Sequence, residues 1–191
     1  MKALVERIKQ EGEHVGGGIV KVDGFLNHQV DAELTYAMGE ELVRRFGEQG
    51  VSGITKIVSA EVSGIPVALA VARILGVPMI YARKHRSSVM TDVYYFAQAH
   101  SRTKDEQTHL MISKKYLKPE DRVIVIDDFL ATGSTVTALG TLIVESGATM
   151  CAIGCVIEKP QEGGREKLAS FGVPIEALSK VELIGDELKV S

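Results

Sequence analysis

The run Val123-Ile124-Val125-Ile126-Asp127-Asp128-Phe129-Leu130-Ala131-Thr132-Gly133-Ser134-Thr135 constrains this chain more than any other stretch. Four β-branched apolar residues without a polar break read as a strand buried on both faces, the pattern of a parallel sheet. Two carboxylates follow at the carboxyl end. A loop of small and hydroxylated residues then leads into a helical pattern that Gly147 stops. Loop amides and a helix N-terminus can take a phosphate, while the acids can take sugar hydroxyls or a metal. The Gly-Lys-Ser/Thr ending of a nucleoside-triphosphate loop is absent, and no Gly-x-Gly-x-x-Gly follows a strand, so neither of those phosphate sites is encoded.

The same alternation runs through the rest of the chain. A helix is predicted over 2–11, broken by Gly16-Gly17-Gly18, and a strand over 19–22 ends at Asp23-Gly24. Residues 25–30 fit no element period and read as a loop with exposed apolar groups. Asp31 can cap a helix over 32–47 with Leu34, Met38, Leu42 and Phe46 on its core face. Strands are predicted over 54–60, 77–82, 109–113 and 150–157, and helices over 65–75, from 134 to about 145, and over 165–171, with Pro66 tolerated in a first turn. Residues 87–108 are polar without a sustained period, which suits a lid or an antiparallel excursion. Two short tail strands are predicted around 173–178 and 181–184, with 187–190 pairing back across Gly185-Asp186. Strands alternating with helices predict an α/β domain: an open parallel sheet flanked by helices. Ligands of such sheets bind beyond the strand carboxyl ends. The irregular stretches 61–64, 83–86, 127–135 and 158–160 all fall at such ends.

At 191 residues the expectation is one domain, 1–191, with a full core. A formal charge of −3 gives no general pull toward nucleic acid or an anionic membrane, so phosphate binding must be local. Residues 1–10 mix Lys2, Glu6, Arg7 and Lys9 with apolar positions, an amphipathic helix and not a signal peptide. No apolar run approaches the roughly 20 residues of a membrane span. Cys151 and Cys155 lie roughly 13 Å apart along one predicted strand, too far to pair with each other, which suits a reduced, cytoplasmic setting. The five histidines show no metal-ligand spacing.

Taken together, these segments resemble the type I phosphoribosyltransferases. The run 123–135 is similar to their phosphoribosyl-pyrophosphate (PRPP) signature. Lys21-Val22-Asp23-Gly24-Phe25-Leu26-Asn27-His28-Gln29-Val30-Asp31, Ala82-Arg83-Lys84-His85 and Val156-Ile157-Glu158-Lys159 narrow the resemblance to the xanthine branch, across nearly the whole chain. The resemblance implies transfer of a phosphoribosyl group from PRPP to xanthine, with release of xanthosine 5′-monophosphate and pyrophosphate. It implies a 5′-phosphate held by Ala131, Thr132, Gly133, Ser134 and Thr135, with ribose hydroxyls on Asp127 and Asp128. Glu61, Val62 and Ser63 would form the pyrophosphate loop, which in this family often holds a non-proline cis peptide. Arg83 and Lys84 follow a strand that lies at a dimer interface in the family. One of them would reach pyrophosphate, and Lys84 would join Asp127 and Asp128 as a catalytic residue; a solvated basic cluster is the competing reading. Residues 85–105 resemble a catalytic flap that excludes water.

The purine would sit under a hood formed from about 15–30 and 156–191. The backbone at Val20 and the amide of Asn27 would meet the base, and Lys159 would donate to a 6-oxo group and repel the amine of adenine. Mg2+ would be carried by the substrate with no direct protein ligand. The implied assembly is a cytoplasmic homodimer that binds neither nucleic acid nor membrane. The sequence departs at Ala131 from many 6-oxopurine relatives, which have Asp there as a base for purine N7, and shares its Ala with the xanthine and adenine branches. Xanthine is itself acidic near neutrality, so an anionic purine needs little such help. The loop residues Thr132 and Ser134-Thr135 are closer to the adenine branch. Two alternatives therefore stay open: specificity for adenine or for guanine and hypoxanthine, and a PRPP-sensing regulator without catalysis. The acidic balance and about 15 residues before the hood argue against duplex binding by such a regulator.

Overall fold

In a computed structural model of the chain, the residues described are 1–85, 93–101, 106–184 and 187–191. Helix α1 (Lys2–Glu11) precedes a two-stranded ribbon of β1 (Glu13–His14) and β2 (Val20–Lys21). Helix α2 (Ala32–Glu48) follows, then β3 (Lys56–Ala60), α3 (Ile65–Leu75) and β4 (Met79–Ala82). A hairpin of β5 (Tyr94–Ser101) and β6 (Glu106–Ser113) leads to β7 (Arg122–Leu130), α4 (Ser134–Ser146) and β8 (Thr149–Glu158). The short helix α5 (Gly164–Leu168), β9 (Ile175–Ile184) and β10 (Glu187–Val190) complete the chain.

The central sheet has the order β10-β9-β8-β7-β3-β4 and is parallel except for β10. The expected open parallel sheet is therefore present, with helices on both faces. The apolar run of β7 explains how. Ile124 and Ile126 face a core shared with Met38, Leu42 and Val71 of α2 and α3. Val123 and Val125 face the other core, with Leu139 and Ile143 of α4 and with Tyr95 and Leu110 of the hairpin. Period-two alternation thus supplies two apolar faces, each with its own layer. The cap expected at Asp31 forms, its carboxylate accepting the Leu34 amide at 3.0 Å.

From β3 the chain winds outward to β4; from β7 it winds the other way to β8 and β9. The topological switch point lies between β3 and β7, where the carboxyl ends open a crevice. The β3–β7 ladder runs from Lys56↔Val123 to Val58↔Val125. Beyond it β7 continues to Leu130 and carries Asp127 and Asp128 to the crevice floor.

Two expectations change. Phe25 and Leu26 are fully buried, not exposed, within a π-helical turn over Asp23–Asn27. That turn is closed by Gln29 N–H on the Asp23 carbonyl at 2.8 Å, and Arg7 lies over the Phe25 ring at 5.6 Å. The tail is one strand, β9, and not two. Polar Ser179 at its middle is buried with its hydroxyl on the Val156 carbonyl at 3.1 Å, so no break is needed. In the polar stretch 87–108 the antiparallel excursion expected as one reading is present: its described residues contribute most of the β5–β6 hairpin, whose Tyr95, Ala97, Leu110 and Ile112 join the core over α4. Of the flap expected over 85–105, residues 86–92 and 102–105 lie outside the described residues, as does the Gly185-Asp186 turn. No described helix is long and apolar enough to cross a membrane.

A polar brace holds the opposite end of the crevice strands. Lys56 Nζ donates to Asp121 Oδ2 at 2.6 Å and to the Tyr116 carbonyl at 2.7 Å. Thr55 Oγ1 donates to Asp121 Oδ1 at 2.8 Å. Burial alone would raise the Asp121 pKa. The bonds from Lys56, the Lys118 amide and Thr55 outweigh it, and the carboxyl is held below its ordinary 3.8. Its stabilisation is fully present above that value and lost as pH falls through the folded one. Asp121→Asn is expected to cost about 1.5–3 kcal/mol in denaturant unfolding at pH 7. An unchanged midpoint would remove the brace from the account.

Candidate active site

A cleft of about 430 Å³ opens at the switch point. Its floor is the end of β7. The β7–β8 register sets Asp127 beside Cys155 and Leu130 beside Glu158, so the chain leaves both strands at one level. Ala131, Thr132, Gly133, Ser134 and Thr135 line the cleft above that level. Gly133 takes φ +72°, turning the chain directly into α4, and no side chain caps that helix N-terminus. Its first amides can therefore be completed by an anion.

Glu61, Val62 and Ser63 form the second wall, following β3. The Glu61–Val62 peptide bond is cis. The loop lies close against the acids: a β-carbon on Gly64 would stand 2.6 Å from Ser59 Oγ and 3.2 Å from Asp127 Oδ1. The Glu61 carboxylate accepts the Lys84 amide N–H and faces Arg83 Nε at 3.9 Å. It thereby ties the segment after β4 to the loop after β3. Lys84 lines the cleft, whereas Arg83 does not; it bridges through its backbone to Met111 of β6.

The third wall comes from the N-terminal ribbon and the end of β8. Val20, Asn27 and Lys159 line it. Lys159 is 8% exposed and donates through Nζ to the Gly18 carbonyl at 2.8 Å. Its ammonium also lies 5.2 Å from the centre of the Phe129 ring. The lining residues Phe129, Gly17 and Gly18 were not anticipated as site residues. The sign available for Phe129 is its place one residue past the acids, where the strand end faces the crevice. The triple glycine reads from sequence only as a helix breaker.

Electrostatics set the acid pair apart. The Asp127 carboxyl is pushed well above its ordinary 3.8, first by burial and then by the charge of Asp128; the Lys84 ammonium pulls it back. Burial likewise raises Asp128. Asp127 Oδ1 accepts the Asp128 amide at 3.1 Å, which orients it. Two carboxylates this close, Asp127 buried and Asp128 half-buried, hold a full double charge only when positive charge approaches from the cleft. The geometry thus offers an anion seat, an acid pair, a cation and a compartment lined by Val20, Asn27, Phe129 and Lys159 in one space.

A family model described as "Phosphoribosyl transferase domain" matches residues 39–187, most of the chain and most of this cleft. The chain belongs to the phosphoribosyltransferase family. Within the family, it is 50% identical to a xanthine phosphoribosyltransferase of Deinococcus deserti, over 95% of this chain and 92% of that one. It is 42% identical to a protein of the same description from Brevibacillus brevis, over 98% and 94% of the two chains. Among solved structures, the adenine phosphoribosyltransferase of Rhodothermus marinus superposes with a TM-score of 0.73 at 23% identity, covering 96% of this chain and all of that one. At that identity the likeness is one of fold.

Proposed function

We propose that this phosphoribosyltransferase moves the 5-phosphoribosyl group of PRPP to xanthine, giving xanthosine 5′-monophosphate and pyrophosphate in purine salvage. The observation that carries the reading is one cleft that joins Val20, Asn27 and Lys159 to the loop 131–135, with Asp127 and Asp128 between them. Relatives described as xanthine phosphoribosyltransferases over nearly full length agree with it.

The residues divide the work. Loop amides, the hydroxyls of Thr132, Ser134 and Thr135, and the α4 dipole bind the 5′-phosphate. Asp127 and Asp128 accept the ribose 2′- and 3′-hydroxyls and hold negative charge against the anomeric carbon as its bond to pyrophosphate lengthens. Backbone groups of Glu61–Ser63 and the ammonium of Lys84 receive pyrophosphate, with Arg83 set behind them on Glu61. The purine lies on the Phe129 side of the cleft, where an aromatic face suits a flat base. Asn27 and the Val20 backbone read its edge, and Lys159 donates to its 6-oxo group while disfavouring an exocyclic amine. Nothing at Ala131 can take a proton from N7, which favours an acidic purine.

The donor set also fits a hard divalent cation: carboxylates and hydroxyls stand where the substrate's oxygens would lie, and burial leaves the acid pair short of positive charge. Asp127 and Asp128 would add negative charge near an Mg2+ carried by PRPP with no direct protein ligand, and the ion would supply charge neutralisation for pyrophosphate. The segments 15–30 and 156–191 serve as the base-covering hood of a single domain.

A homodimer is part of this proposal. Val62, Leu69 and Tyr81 are 70%, 58% and 44% exposed on the loop after β3, on α3 and on the edge strand β4, large apolar side chains of the kind a partner subunit covers. Sedimentation equilibrium should give twice the chain mass of 20.7 kDa, and Leu69→Glu should shift it toward the monomer. A wild-type protein that sediments as a monomer at assay concentrations contradicts the dimer. The transfer itself is tested by incubating the protein with Mg2+, PRPP and xanthine and following phosphorus resonances. Equimolar pyrophosphate and a nucleotide 5′-monophosphate are expected; unchanged PRPP sinks the reading.

A further inference from the structure

Gly164 does not line the cleft, yet the phosphate loop rests on it. A β-carbon there would overlap the Ala131 carbonyl oxygen and stand 2.8 Å from the Gly133 nitrogen and 2.9 Å from Leu130 Cδ1. In the reverse direction, a β-carbon on Gly133 would stand 3.1 Å from the Gly164 carbonyl oxygen and 3.3 Å from Leu168 Cγ. Loop backbone therefore lies directly on the backbone of α5, with no side chain between them to absorb a shift.

The support beneath is stiff. Arg165 donates from Nε and Nη2 to both oxygens of Glu158 at 2.7 Å, and from Nη1 to the Ile175 carbonyl at 2.8 Å. Glu158 is 2% exposed and ends β8. A two-pronged guanidinium–carboxylate pair whose carboxylate is buried is directional, and the planar fork fixes orientation as well as distance. One residue on, the Lys159 amide donates to the Leu130 carbonyl at 2.8 Å, so β8 also grips the chain just before the loop.

We infer that Gly164, set by the Arg165–Glu158 pair, is a positioning element for the phosphate half of the site. It touches neither substrate; it holds the amides of 131–133 at the height the 5′-phosphate needs. The inference rests on the proposed function and adds a residue group to it. A side chain at 164 should lift the loop by a fraction of its own size. Misplacement on the order of 1 Å costs up to about 10²-fold in rate, and the loss should fall on PRPP and not on the purine.

The test uses the full-length protein with Gly164→Ala, Arg165→Lys and, as a control on the exposed side of the same helix, Lys167→Ala. Gly164→Ala should raise KM for PRPP about tenfold or more, with KM for xanthine changed less than about twofold. It should also shrink the rise in melting temperature that Mg2+-PRPP alone induces. Arg165→Lys keeps the charge but loses the fork, and should do the same to a smaller extent; it carries the test if Gly164→Ala does not fold. Lys167→Ala should match wild type. Wild-type KM for PRPP in folded Gly164→Ala, or equal rises in both KM values, overturns the inference. The PRPP-induced melting shift separates it from the transferase reading. A wild type that binds PRPP without turnover defeats transfer and leaves the loop support to be judged by binding. A wild type that does not bind PRPP defeats both.

Discussion

Replacing Asp128 by asparagine is expected to lower kcat on the order of 10²–10³-fold while leaving the melting temperature unchanged or higher. The two halves of this expectation share one cause. Burial raises the folded pKa of Asp127 well above 3.8, and of Asp128 above it, so the folded protein holds protons that the unfolded chain releases. For such groups stability falls as pH rises from the unfolded value through the folded one, and at neutral pH the pair opposes folding. Asparagine cannot ionise and removes part of that opposition. It also removes the negative charge that a cationic sugar centre needs. By the same sign, kcat/KM for PRPP should fall on acidification at a pH above the ordinary carboxylate value of 3.8, because the working form is the ionised one. Kinetics with matched thermal melts check both. A strongly lowered melting temperature, or retained turnover, would place Asp128 in the scaffold and outside the chemistry.

Lys159→Ala should cost about 10²-fold in kcat/KM for xanthine and narrow the preference for xanthine over adenine. The partners of the ammonium include the Gly18 carbonyl at 2.8 Å, the face of Phe129 at 5.2 Å and the Glu162 carboxylate at 3.9 Å. Through Gly18 it fastens the N-terminal ribbon over the base compartment, and from its place on the cleft wall it reads the base. Loss of the ribbon contact alone would weaken all purines together. Loss of base reading removes an attraction to a 6-oxo group and a repulsion from a 6-amino group, so the ratio of the two rates must move. Kinetics with both purines distinguish the roles. A lower rate with an unchanged ratio would reduce Lys159 to a fastener.

The sheet was legible because burial on two faces leaves a simple trace. Strand β7 is the uninterrupted Val-Ile-Val-Ile run, and α2 declares itself through Asp31 and the spacing of Met38, Leu42 and Phe46. The level of the site followed from the rule that ligands of such sheets bind beyond the strand carboxyl ends, whereas the strand order that opens the crevice came only with the structure. Most expected cleft residues are polar groups at strand ends, where a soluble core has no use for them, and the structure brings them together. Arg83 is the exception, since sequence cannot tell which of two adjacent basic residues turns inward.

What was illegible depends on contacts between distant segments. The turn over Asp23–Asn27 buries Phe25 and Leu26 only because Arg7 and the core receive them. Gly164 reads as an ordinary turn glycine, since its closeness to Ala131 and Gly133 exists only after β7, β8 and α5 have packed. Phe129 passed as one more strand residue, although it forms part of the cleft wall beside Lys159.

The central claim, that the cleft selects xanthine as acceptor for the phosphoribosyl group, is tested most directly by competition. Xanthine, guanine, hypoxanthine and adenine are mixed at equal concentration with Mg2+, limiting PRPP and the wild-type protein, and the four nucleotides are separated and counted. The ratio of products equals the ratio of kcat/KM values whatever the absolute rates. Xanthosine 5′-monophosphate should be the dominant product and adenosine 5′-monophosphate the least. Adenosine 5′-monophosphate in excess, or no nucleotide from any base, would contradict the account.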